Sequence, residues 1–195
     1  MSILILGLVL FLGIHSLRIF ADPWRTMQTK KIGEQKWKGI CSLIALIGFI
    51  LIIYGYRQSS PSFTIWSPPL WTWHITAALT LIAFILLAAA QVPKNWIKAK
   101  VKDPMVLGVK TWALAHLISN GSLVGIILFG SFLVWAILDF KSCRHRRSNS
   151  LDAPTETSLM MTIATYTIGI AAWFIFAIYI HQTLFGISPF GYFAH

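Results

Sequence analysis

A chain of 195 residues that is 56% hydrophobic and only 11% charged has too few polar side chains to cover a water-soluble globule, in which about a quarter of residues are charged. Its net charge of +10 would point to nucleic acid on a soluble chain. Here the basic residues lie beside long apolar runs, where membrane topology explains them first, and no nucleic-acid partner is expected.

The first apolar segment covers residues 3–20. No positive charge precedes it and no clear small-residue cleavage site follows, so it reads as a retained helix and not a signal peptide. Five more follow at 39–57, 70–92, 105–119, 123–140 and 159–182. A helix rises 1.5 Å per residue, so about 20 residues cross a hydrocarbon core of about 30 Å. The fourth segment is short for that and is either extended by Asn120-Gly121 or shielded by its neighbours. Pro68-Pro69 precedes the third segment and suits a helix start, since proline lacks an amide that would be unpaired there. The stretch 148–158 is polar and reads as a loop.

The connections differ sharply in charge. The first carries Arg18, Arg25, Lys30, Lys31, Lys36 and Lys38, the third Lys94, Lys98, Lys100 and Lys102, and the fifth Lys141, Arg144, Arg146 and Arg147. These are 14 of the 16 Lys and Arg residues. The second has only Arg57 at its edge, and the Asn120-Gly121 turn has none. The positive-inside rule places the basic connections in the cytoplasm. The expectation is an all-α, polytopic membrane protein of about six transmembrane helices, both termini outside, forming a single transmembrane domain over 1–195. Tryptophans mark both surfaces: Trp66, Trp71 and Trp73 outside, and Trp24, Trp37 and Trp96 inside.

Polar residues within lipid are costly and therefore informative. His15 lies well inside the first segment and His116 well inside the fourth, while His74 and His181 lie toward the outer surface. His145 falls in the fifth, basic connection, and His195 is the last residue. A deep histidine either hydrogen-bonds a neighbouring helix or ligates a metal, and neutral imidazole suits haem iron. His15 stands about 9 Å and His116 about 18 Å from the inner surface, a mismatch of about 9 Å. Side chains lean toward the N-terminus of their own helix, so on antiparallel helices the two imidazoles lean together. His74 or His181 would also serve as partner to His116, and periodicity leaves that choice open. Arg18 shares a face with His15, and Lys110 lies toward the cytoplasmic end of the fourth segment. Both either snorkel to the interface or neutralise haem propionates. Trp112, Trp173, Phe174 and Phe176 are candidates for an apolar wall. Cys41 and Cys143 form no Cys-x-x-Cys pair and support neither a disulfide framework nor a zinc site. All six acids lie at the basic connections or their edges, which disfavours a proton-coupled transporter. No hydrolase triad, phosphate loop or dinucleotide fingerprint stands out.

Three stretches carry a family resemblance: Leu12-Gly13-Ile14-His15-Ser16-Leu17-Arg18, the Trp37-Lys38-Gly39 start of the second segment, and Lys110-Thr111-Trp112-Ala113-Leu114-Ala115-His116-Leu117-Ile118-Ser119-Asn120-Gly121. In order and spacing over nearly the whole chain, they resemble the NnrU family of bacterial membrane proteins. The family name comes from genetic association with nitric oxide and denitrification genes. A plant and cyanobacterial relative, 15-cis-zeta-carotene isomerase, is an integral membrane haem b protein. The resemblance implies that its two haem-linked histidines fall on His15 and His116. It also implies a multi-pass protein of the bacterial inner membrane, acting in redox or nitrogen-oxide metabolism or isomerising an apolar small molecule. The alternative is a non-enzymatic factor supporting assembly of a respiratory or denitrification complex, so whether the chain is an enzyme stays open. This chain has Ala113 where the isomerase has a cysteine, and Asp103-Pro104 where many relatives have His-Pro.

Overall fold

The computed structural model describes residues 1–59, 62–148, 156–187 and 189. His195 and most of the connection at 149–155 fall outside the described residues. All the expected apolar segments are helical. In chain order the elements are α1 (Ser2–Phe20), α2 (Asp22–Ile32), α3 (Glu34–Ser59), α4 (Thr72–Gln91), α5 (Trp96–Val101), α6 (Pro104–Ser119), α7 (Leu123–Ser148), α8 (Leu159–Ile175), a π-helical turn (Phe176–Ile180) and α9 (His181–Phe185). Among the described residues five spans are long and apolar enough to cross a membrane: Ser2–Phe20, Glu34–Ser59, Thr72–Gln91, Leu123–Arg147 and Leu159–Phe185. The protein is therefore a multi-pass membrane protein, its helices satisfying their own backbone hydrogen bonds as lipid requires.

Several boundaries differ from the hydropathy limits, because hydropathy sees apolarity and not helix-forming chemistry. Residues 22–32, expected as a loop, form α2: Asp22 and Pro23 sit in its first turn, Lys30 and Lys31 in its last, and Gly33 ends it at φ 89°. α3 begins at Glu34, whose carboxylate pairs with Lys38 at 2.7 Å across one turn. α5 is a second helix within a basic connection, capped by the buried Asn95, whose Oδ1 accepts the Lys98 amide at 2.7 Å. The cluster Lys141–Arg147, expected as loop, forms the last turns of α7. There Arg146 donates to Ser142 one turn back, and its guanidinium lies 3.0 Å from Cys143 Sγ and 3.9 Å from Asp139.

The chain divides into two compact units, Met1–Phe63 and Thr64–His195. In the first, α1 and α3 pack antiparallel at glycine contacts. A Cβ on Gly7 would come 2.7 Å from the Ile52 amide, one on Gly48 2.7 Å from the Phe11 amide, and one on Gly55 would strike the Leu4 backbone. Small residues let helices approach closely where lipid supplies no hydrophobic drive to associate. The Met1 ammonium donates to Ser59 at 2.7 Å, closing the same pair at its end.

In the second unit α4 packs against both α6 and α8, and α7 packs on α6. α6 has 16 residues, about 24 Å, but it runs alongside α4 in antiparallel register. Gly108 faces Ala83, and the Thr76 hydroxyl donates to the Ala115 carbonyl at 2.9 Å. α6 and α7 form the expected hairpin. Asn120 Oδ1 accepts from both the amide and hydroxyl of Ser122, at 3.0 and 2.6 Å. The Gly121 carbonyl accepts the Ile65 amide at 2.8 Å, and any Cβ on Gly121 would collide with the Trp66 carbonyl.

Candidate functional site

His15 and Arg18 belong to the first unit. Both are exposed on α1, three residues apart, and the His15 Nδ1–H donates to the Phe11 carbonyl at 2.6 Å. The Phe11 ring lies 4.5 Å from the imidazole and 6.1 Å from Phe49 of α3.

The remaining candidates, His116, Lys110, His74 and His181, belong to the second unit. His116 sits near the end of α6, and its Nδ1–H donates to the Trp112 carbonyl at 2.9 Å. Its imidazole stacks on Phe129 of α7 at 4.5 Å and touches the Trp112 ring at 5.1 Å. Trp112 in turn meets Phe129 and Phe132 of α7 edge-on.

His181 is the histidine brought beside His116. Their ring centroids are 6.5 Å apart and their planes only 17° from parallel. The His181 Nδ1–H donates to the Ile187 carbonyl at 2.8 Å, and Phe176 and Phe185 flank the ring at 6.1 and 5.2 Å. His74 is exposed in the first turn of α4. By register with α6 it shares the level of His116, but the aromatic contacts of His116 come from Trp112, Phe129 and His181.

In all three imidazoles His15, His116 and His181, Nδ1 is engaged by a main-chain carbonyl, an assignment drawn from the hydrogen-bond pattern. In the neutral ring this leaves Nε2 as the lone-pair nitrogen. It is also the arrangement of metal-ligating histidines, which donate their other nitrogen to a carbonyl or carboxylate. The described acids of this unit, Asp103, Asp139 and Glu156, pair with Arg147, Arg146 and Lys94 at the basic-connection end. No described carboxylate shares the layer of His116 and His181. Neutral nitrogen donors among aromatic rings fit a haem.

Lys110 lies six residues before His116, about 9 Å along the helix axis, toward the basic connections. Its ammonium sits 5.6 Å from the Phe140 ring centroid, and the Arg144 guanidinium sits 5.8 Å from the same ring. Of the other wall candidates, Trp173 is committed elsewhere: its Nε1–H donates to the Thr80 hydroxyl at 3.0 Å. Phe176 meets Phe84 of α4 at 5.5 Å. Sequence reasoning missed Phe129, which had no polar or periodic signal. It also missed Thr76 and Thr80, whose i, i+4 spacing in an apolar helix was readable.

The sequence model of a family described as NnrU protein matches residues 3–189. No curated protein and no solved structure matches the chain.

Proposed function

From the premise that this chain belongs to the NnrU family, we propose that it is a haem b protein of the bacterial inner membrane, whose iron His116 would hold. The observation that carries this reading is the state of His116: Nδ1 tied to the Trp112 carbonyl, and the ring set among Phe129, Trp112 and His181. Lys110, about 9 Å along the helix from His116 toward the basic connections, is the counter-charge to a propionate. Bound haem iron supplies electron transfer or binding of a small ligand such as a nitrogen oxide, and in a relative it accompanies isomerisation of an apolar polyene. The protein's part is to hold the imidazole tautomer through the main chain, exclude water with the aromatic rings, and keep carboxylates out of the layer.

With α6 counted as a sixth crossing, the basic connections face the cytoplasm and both termini face the periplasm. The antiparallel course of α6 along α4 supports that count.

A second reading has its own support. His15 and His116 each bond a carbonyl four residues back on their own helix, which a purely structural histidine also does. On this reading the chain is a non-enzymatic factor supporting assembly of a respiratory or denitrification complex. An absorption spectrum of the detergent-purified protein, oxidised and then reduced, separates the two. Haem bands in stoichiometric amount are expected. Their absence after expression with ample haem supply overturns the haem reading and leaves the assembly factor.

A further inference from the structure

We propose that His181 is the axial ligand opposite His116, so that the iron's protein ligands both come from the unit Thr64–His195. This rests on the haem reading above and names the second ligand within it.

The first ground is the pair's spacing. Two imidazoles on opposite sides of one metal, each bonded at about 2 Å, have ring centroids roughly 6 Å apart. His116 and His181 stand at 6.5 Å with nearly parallel planes. Each ring has its Nδ1–H satisfied by a main-chain carbonyl, so each presents Nε2 as the available donor.

The second ground is the backbone that carries His181. Along α8 the residues turned to the bundle are Thr165 and Gly169, both buried, and Trp173, which donates to Thr80; buried Ala177 continues the row. The row advances by four residues at each step. In an α-helix each such step overshoots a full turn by about 40°, so a further α-helical step would carry residue 181 away from this face. The segment Phe176–Ile180 is instead a π-helical turn. With i→i+5 bonding, four residues fall short of a full turn by about 30°, so the step to His181 takes back part of that drift instead of adding to it. His181 thereby stays on the side of the helix that reaches His116. π-helical turns are rare and concentrate at functional sites, and this one ends at the histidine.

The test is optical spectroscopy of purified variants, with circular dichroism and gel filtration in detergent as folding controls. The unsubstituted protein is expected to show a six-coordinate, low-spin haem. His181→Gly and His116→Gly should each convert it to a five-coordinate, high-spin spectrum or lose the haem, and added imidazole should restore the low-spin form. His15→Gly should leave the spectrum unchanged. If His181→Gly does not fold, His181→Met keeps a ligand in place and should shift the spectrum to that of a histidine–thioether pair. A low-spin spectrum unchanged in folded His181→Gly or His181→Met, or one lost in folded His15→Gly, overturns the assignment while leaving haem binding intact. No haem in the unsubstituted protein overturns both.

Discussion

At the scale of single residues, the second unit is held by a short run of polar contacts inside an apolar bundle. Trp173 of α8 donates to the Thr80 hydroxyl, Thr80 donates to the Thr76 carbonyl at 2.8 Å, and the Thr76 hydroxyl donates to the Ala115 carbonyl. The run ties α8 and α6 to the same face of α4, one residue from His116. Side-chain hydrogen bonds between membrane helices contribute on the order of 1 kcal/mol, since the separated helices also find partners. Thr80→Val and Trp173→Phe should each destabilise the protein by about 1 kcal/mol, and the double variant should cost less than their sum because both remove one bond. Unfolding of the three variants in mixed micelles measures this; strict additivity would show that the Trp173–Thr80 contact contributes nothing. The sequence pointed to His116 because a buried imidazole in lipid demands an explanation. It did not point to Phe129, because a phenylalanine in an apolar helix is silent about which neighbour it stacks on.

Hydropathy locates helices by their lipid-facing composition, and that signal was strong for α1, α3, α4, α7 and α8. It lost α2 and α5, which are polar and depend on capping and charge at their ends, through Asp22, Gly33 and Asn95. It placed α6 well despite its length, because Asp103-Pro104 and Asn120-Gly121 bracket it. The π-helical turn had no readable signature, since Phe176–Ile180 is as apolar as the helix before it.

For the whole molecule the open quantity is the number of crossings, and charge and length bear on it differently. Length alone gives five, because α6 is about 24 Å against a core of about 30 Å. Charge favours six: with α6 crossing, Lys30, Lys31, Lys98, Lys100, Arg144 and Arg146 all lie on one side, as the positive-inside rule requires. The register adds a structural reason, since Gly108 opposite Ala83 and Ala115 opposite Thr76 make α6 travel with α4, itself long enough to span. The two counts differ in one accessible observable. Six crossings put residues 62 and 148 on opposite faces, whereas five put them on the same face. With Cys41 and Cys143 replaced by Ala, Ser62→Cys should react with a membrane-impermeant maleimide in intact cells. Ser148→Cys should react only after the membrane is opened. Labelling of both positions in intact cells would reduce α6 to a helix that does not cross. Labelling of Ser148→Cys alone would invert the protein and place its basic connections outside.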